Sequence, residues 1–223
     1  MTHITDNRAL VIGGTSGIGR AVADALRARP CQVTVASRST GLDISDEAAV
    51  AAYFAELGPV DHVVVTAGSA APGGALRDID IADAKTAFET KFWGVINVAK
   101  YAAKSIRPGG SITLTSGFLS RRTVPGTYVK TAMNAGLEAV AKVLAKEFAP
   151  IRVNVVSPGL TETEAYAGME AAARAAMYAN AARNLPVGRV GKPNDLAQGY
   201  LLAIDNPFMT GAVIDVDGGA LIK

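Results

Sequence analysis

Cysteine is almost missing from this chain: Cys31 is the only one in 223 residues. A single cysteine excludes an intrachain disulfide and any cysteine-rich metal site, and it suits a reducing, cytoplasmic compartment. Histidine is nearly as scarce. His3 and His62 are far apart in sequence with no cysteine cluster beside them, so no metal site is read and both are expected to be structural or solvent-facing. Charge of one sign is also lacking. The formal net charge is +2, and like charges reach no further than pairs such as Arg121-Arg122. That excludes the basic stripe of a nucleic-acid binder. No apolar stretch approaches a membrane span, and Met1–Asp6 lacks the apolar run of a secretory leader.

What is present is a chain 49% hydrophobic and only 19% charged, which excludes global disorder. Its length suits one domain over residues 1–223, with no linker, repeat or low-complexity segment. Short β-branched runs occur at Ala9–Ile12, Gln32–Ala36, Asp61–Thr66, Ser111–Thr115, Ile151–Val156 and Ala212–Val216. Between them lie alanine-rich helical stretches at Arg20–Ala28, Glu47–Leu57, Ile81–Ile106, Thr127–Phe148 and Asp195–Ile204. This alternation predicts an α/β fold, a Rossmann-type doubly wound parallel sheet covered by helices on both faces. Ser45 and Asn194 are read as helix starts. One connection is too short. The second strand ends near Ser37, yet Gly41–Ser45 already reads as extended, and a parallel crossover needs a dozen or more residues. The crossover helix after the second strand is therefore expected to be missing, with Leu42–Ile44 crossing the carboxyl edge of the sheet.

The densest signal is Gly13-Gly14-Thr15-Ser16-Gly17-Ile18-Gly19. It follows the apolar run Leu10-Val11-Ile12 and precedes a helix-period pattern. A dinucleotide pyrophosphate needs that order: glycines allow close backbone approach, and the next helix offers free N–H groups and its positive dipole end.

The chain resembles the short-chain dehydrogenase/reductase family along essentially its whole length. Gly13-x3-Gly17-Ile18-Gly19 matches the family's cofactor loop, with Ile12 in place of the usual threonine. Val64-Val65-Thr66-Ala67-Gly68 resembles its Asn-Asn-Ala-Gly stretch with both asparagines replaced. Ile151–Gly159 is similar to the sixth strand and Pro158-Gly159 turn, and Val190–Ala197 and Met209–Gly219 resemble the C-terminal signature. The resemblance implies that Gly13, Thr15, Ser16, Gly17, Ile18, Ala67, Gly68, Pro158 and Gly159 contact the cofactor, with Thr163 at the nicotinamide carboxamide. It places Ser37-Arg38 where an NAD-selective relative carries an acid. An arginine there complements a 2′-phosphate, so NADP(H) is expected. Asp43-Ile44 resembles the pair beside the adenine.

The same resemblance implies a catalytic Asn, Ser, Tyr and Lys, the last two as Tyr-x3-Lys. No tyrosine here has a lysine four residues on. A gapless count back from Pro150 puts the tyrosine position at Lys130, the lysine at Asn134 and the serine at Gly117 beside Ser116; the asparagine position, three before Gly94 of the preceding helix, falls on Lys91. Two accounts follow. In the first, the chain reduces a ketone, aldehyde or imine with an atypical acid. Lys130 and Asn134 share a helix face, with Lys130 toward the substrate and Asn134 toward the nicotinamide ribose. Lys91 approaches the same cleft, and Ser116 or Tyr128 bonds the carbonyl. Neighbouring ammonium groups and burial lower a lysine's pKa toward neutrality, which suits proton transfer. In the second account, the chain binds NADP(H) without reacting, as a sensor or an assembly partner.

Residues 160–184, with Tyr166, Met169, Met177 and Tyr178, read as a substrate lid. The helices Ile81–Ile106 and Thr127–Phe148 are apolar on more than one face, which requires burial on both sides. The family resemblance makes them a dimer interface, so a homodimer or homotetramer is expected, with a small-molecule partner, no nucleic acid and no membrane.

Overall fold

The computed structural model describes residues 7–68 and 71–222. His3 and the Met1–Asp6 segment lie outside the described residues. Six strands make one sheet: β1 (Asn7–Ile12), β2 (Cys31–Ala36), β3 (Val60–Val65), β4 (Ile106–Thr115), β5 (Arg152–Pro158) and β6 (Val213–Val216). Their order is β2-β1-β3-β4-β5-β6, and every pairing is parallel. The near-continuous apolar runs of the sequence are explained by burial on both faces of the sheet.

Alternate residues divide the core into two layers, as the two-residue period of a strand requires. Leu10, Ile12, Val63, Val65, Ile112 and Leu114 pack on one face, against Val50 and Phe54 of α2 (Glu47–Leu57), Val95 and Val98 of α4 (Gly94–Ser105) and Leu137 and Ala141 of α5 (Tyr128–Glu147). Ala9, Val11, Val64 and Val156 pack on the other, against Val22 and Leu26 of α1 (Gly17–Arg27) and Ala197 and Tyr200 of α7 (Pro193–Asp205). The chain leaves β1 toward β2 on one side and β3 on the other. A crevice opens at the carboxyl ends of the strands where this direction reverses.

No α-helix or strand lies between β2 and Asp46. A single 3-10 turn at Arg38–Thr40 ends on Gly41. Leu42 and Ile44 then turn inward, each only 3% exposed, and close the carboxyl edge as the spacing predicts. The helix starts differ from expectation. Asp46, not Ser45, caps α2, its carboxylate accepting from the N–H groups of Ala48 and Ala49 at 2.9 and 3.1 Å; Ser45 instead donates to Asp43. The last long helix starts at Pro193, not after Asn194. There the Asp195 carboxylate takes the Lys192 N–H at 2.8 Å and pairs with Arg189.

The helix expected over Ile81–Ile106 is interrupted. It forms α3 (Ile81–Phe88), a π turn at Glu89–Trp93, and α4. Aromatic packing accompanies the extra residue: Phe92 meets Phe88 and Trp93 at ring separations of 5.9 and 5.0 Å. The chain stays helical on both sides of the π turn, and its apolar residues fall on more than one face, so no local pattern in the sequence marks the insertion. Ile106 opens β4, which begins earlier than expected because Ile106 pairs with Val60 of β3, ahead of a shift in register before Ser111 pairs with His62. Within 160–184 the structure holds a helix that the pattern did not reveal, α6 (Ala171–Asn184), none of whose residues is buried. No described helix is long and apolar enough to cross a membrane.

Candidate active site

A cleft of about 960 Å³ occupies the carboxyl edge above β1, β2 and β3. Its floor is the glycine loop. Gly13 has φ +86° and donates its N–H to Ala36 O at 2.7 Å; a Cβ there would stand 2.7 Å from both Ala67 N and Thr66 Oγ1. Gly19 has no room for a side chain either, being packed against the Gly13 carbonyl. The loop is thus drawn tight against the β3 end, and α1 begins directly beyond it with Ser16 at its N-cap and no acid in its own first turn. This cradle fits a pyrophosphate group.

Most of the residues expected at the cofactor are gathered here. Gly13, Thr15, Ser16, Gly17, Ile18, Ser37, Arg38, Asp43, Ile44, Ala67, Gly68 and Thr163 all line the cleft. Arg38 stands between two serines whose hydroxyls lie 2.7 Å apart, Ser37 and Ser39. The Asp43 carboxylate is held below the usual carboxylate range, chiefly by the hydrogen bonds from the Ser45 hydroxyl and N–H. Pro158 and Gly159 are not among the residues lining this cleft. Pro158 ends β5, and Gly159 is required by packing, since a Cβ there would stand 2.6 Å from Asp217 Cα.

The expected catalytic residues do not converge. Lys130, in the first turn of α5, lines the cleft. Asn134 is one turn further on and 7% exposed, packed under Gly117: a Cβ on Gly117 would lie 2.9 Å from Asn134 Nδ2. Ser116 is 5% exposed, and its hydroxyl donates to Glu138 Oε1 at 2.8 Å, which commits it away from a substrate. Tyr128 is placed in a separate apolar cavity of about 320 Å³ with Ile81, Ala84, Phe88 and Trp93. Its hydroxyl is buried there with no hydrogen-bond partner among the described residues. The helix begins where the sequence suggested, and that register turns Tyr128 away from the cleft that Lys130 enters. From the π turn, Thr90 rather than Lys91 lines the cleft. Lys91 makes no ion pair or hydrogen bond among the described residues, and burial pushes its ammonium down to about 8. Burial alone causes this shift, at a lysine that does not line the cleft.

Ser39, Leu42, Thr66, Ala71, Thr90, Leu119, Glu164, Ala165 and Tyr166 complete the cleft wall. Of these, Glu164 and Tyr166 carry chemistry that the sequence did not flag as cofactor-facing. The Glu164 carboxylate accepts the Gly17 N–H at 2.9 Å and pairs with Arg20. Tyr166 packs edge-on against Tyr178 of α6 with centroids 6.0 Å apart, and burial raises its phenol pKa. No local pattern marks either residue, because each is brought to the cleft by a loop more than 140 residues downstream of α1.

A parallel doubly wound sheet with a glycine cradle at its switch point defines a dinucleotide-binding protein. A family model described as enoyl-(acyl carrier protein) reductase matches residues 13–220. The short-chain dehydrogenase/reductase ATR9 of Stachybotrys chlorohalonatus is 32% identical over 258 residues, covering 100% of each chain. Carbonyl reductase family member 4 of Xenopus tropicalis is 32% identical over 237 residues, covering 96% of this chain and 97% of its own. A crystal structure described as a small-chain dehydrogenase in complex with NADPH superposes with a TM-score of 0.96 at 57% identity, over 98% of this chain and 100% of its own. The chain belongs to the short-chain dehydrogenase/reductase family.

Proposed function

We propose that the chain is an NADP(H)-dependent oxidoreductase that reduces a ketone, aldehyde or imine, with Lys130 as the proton donor. The observation that carries this reading is Lys130 in the wall of the same cleft as the glycine loop and Arg38. The NADPH complex of the 57%-identical relative supports the choice of cofactor, as does Arg38 in the cleft wall, with Ser37 and Ser39 lining the cleft on either side of it in sequence, a charged and hydroxyl-bearing edge suited to a 2′-phosphate.

When bound, the cofactor supplies the hydride. The chain's own residues do the rest. The loop N–H groups and the α1 dipole hold phosphate charge, and Thr163 takes the carboxamide. The Lys130 ammonium gives its proton to the carbonyl oxygen or imine nitrogen as negative charge develops there, so one hydride and one proton add across the double bond. Solvent then reprotonates the amine. Lys91 contributes a second positive charge behind this wall. Residues 160–184 serve as a lid over the substrate within a single domain. The exposed Trp93 and Val143, 51% and 53% accessible, mark helices that pair with a second copy in a homodimer or homotetramer. The lone Cys31 suits the cytoplasm.

The test follows NADPH absorbance over a panel of ketones, aldehydes and cyclic imines, with Lys130→Met and Tyr128→Phe in parallel. Lys130→Met is expected to lose roughly 10²–10⁴ in kcat while keeping NADPH affinity. Full NADPH-dependent reduction by Lys130→Met overturns the assignment. One observation favours a second reading, a non-catalytic NADP(H) sensor or assembly protein: the Ser116 hydroxyl is committed to Glu138, and Tyr128 lines a separate cavity. Tight NADPH binding with no turnover across the panel selects it.

A further inference from the structure

Between β2 and α2 the chain makes only a 3-10 turn, so no strand ladder fixes the stretch that follows it. That stretch nevertheless walls the cleft: Leu42, Asp43 and Ile44 line it together with Ser37 and Arg38. Its own hydrogen bonds are short-range. The Ser45 N–H and hydroxyl both donate to Asp43 Oδ1, at 2.9 and 2.7 Å, and the Asp46 N–H donates to the Asp43 carbonyl at 3.3 Å. Among the described residues, one hydrogen bond ties Asp43–Ser45 to another element. Asn97 Nδ2 of α4 donates to the Ile44 carbonyl at 3.1 Å.

The rest of α4 supports the same contact. Val95, Val98, Ala99 and Ala102 fix one face of the helix in the core. Gly94, Asn97, Lys100 and Tyr101 follow one another at helical spacing and meet the connection instead. At Gly94 the two backbones come close: a Cβ there would lie 2.7 Å from Ile44 Cγ1 and 3.1 Å from the Ile44 carbonyl carbon. Asn97 takes that carbonyl one turn on. A further turn on, Lys100 Nζ and the Tyr101 hydroxyl both donate to Oε1 of Glu47, the first residue of α2, at 2.6 and 3.1 Å. Ile44 is thus held by its side chain and by its backbone.

This grip sets two adjacent polar groups, the Asp43 carboxylate and the Ile44 N–H, the latter without a hydrogen-bond partner among the described residues. An acceptor beside a donor complements the 6-amino group and N1 of adenine. We infer that Asn97 is the positioning residue of this edge, so that the base of the cofactor is read by a segment that α4, rather than the sheet, holds in place. The inference rests on the dinucleotide reading of the cleft. Asn97 acts through Ile44 and not on the cofactor itself. Without its amide the buried Ile44 carbonyl loses its partner and the edge is no longer fixed. Discrimination among bases is then lost, while the glycine loop still holds the phosphates.

The test is calorimetry with NADPH and with its hypoxanthine analogue. There a carbonyl replaces the 6-amino group and N1 carries a proton, so donor and acceptor are exchanged on a base of the same shape. Wild type is expected to prefer NADPH by roughly tenfold or more. Asn97→Leu removes the hydrogen bond, and Asn97→Asp, of nearly the same shape, removes the donor. Both are expected to weaken NADPH by roughly tenfold and the hypoxanthine analogue by less than about twofold, so that most of the preference disappears. Because the two dinucleotides carry the same phosphates, a change in overall charge moves both alike and leaves their ratio untouched. Equal weakening of the two by the Asn97 variants overturns the inference, since it reports a general loosening of the cleft. Unchanged NADPH binding overturns it too, and so does a wild type that binds both alike, because there is then no edge to position. If NADPH does not bind wild type at all, the cofactor reading fails and the inference falls with it.

Discussion

The Ser116 hydroxyl donates to Glu138 Oε1 at 2.8 Å, and Ser120 donates to the same oxygen at 2.6 Å. Glu138 is 8% exposed, and its other oxygen takes Arg121 Nε at 3.2 Å, while Arg121 also pairs with Asp215. A single buried carboxylate thus fastens the loop after β4 to α5 and, through Arg121, to β6. Removing it strands two hydroxyls and half-frees a guanidinium. Glu138→Leu is expected to cost about 3 kcal/mol in chemical denaturation, whereas Ser116→Ala, which leaves the carboxylate two donors, costs about 1 kcal/mol. In steady-state assays Ser116→Ala is expected to retain kcat within about threefold, since its hydroxyl is committed inward; a loss of hundredfold would place Ser116 at the substrate.

The Tyr128 hydroxyl is the reverse case, a buried polar group with nothing to bond. Replacing it with an apolar edge of the same shape removes a desolvation cost and no interaction. Tyr128→Phe is therefore expected to raise stability by about 1 kcal/mol and leave turnover unchanged. Thermal denaturation beside the NADPH assay checks both, and a fall in kcat without loss of stability would return Tyr128 to the reaction.

The two ends of the cleft were not equally legible in the sequence. The cofactor end was, because glycines crowded by backbone and an arginine after the second strand are local features that the fold places at one edge. The short Arg38–Thr40 connection was legible for the same reason: counting residues is enough to exclude a crossover. At the other end, register decides everything. Lys130 and Tyr128 are two residues apart on α5, and that offset sends one into the cleft and the other into a separate cavity. The π turn, from which Thr90 rather than Lys91 lines the wall, lies in a helical stretch with apolar residues on more than one face, so no local pattern marks it. Glu164 reaches Gly17 from a loop that no periodicity connects to α1.

Arg38 offers a charge test of the cofactor end. With no acid at the end of β2 to accept ribose hydroxyls, NADPH relies on the guanidinium for its 2′-phosphate. Arg38→Gln is expected to weaken NADPH by roughly 10- to 100-fold and to leave NADH affinity within a factor of about two, because only the phosphate loses a charged partner. Fluorescence titration with both cofactors reads the ratio directly, and equal weakening of the two would mean that Arg38 supports the loop rather than the phosphate.

Lys91 links the site to stability through pH. Its pKa falls from 10.5 in the unfolded chain to about 8 in the fold, with burial as the cause. Between those values the unfolded chain holds a proton that the folded chain has lost, so folding becomes more favourable as pH rises through that window. Below about 8 the cost of keeping the ammonium buried is borne in full, and above 10.5 it vanishes. Lys91→Met removes that cost. Allowing for the partial exposure of the side chain, it is expected to stabilise the protein by about 2 kcal/mol at pH 7, with the gain shrinking steadily from pH 8 and gone near pH 10.5. Urea denaturation of both proteins across pH 6–10.5 follows this directly. A gain that stays constant with pH would instead come from packing of the methionine. If the positive charge serves the reaction, the stabilised variant is also the slower enzyme, and wild-type kcat falls as pH rises through about 8 while the variant's does not.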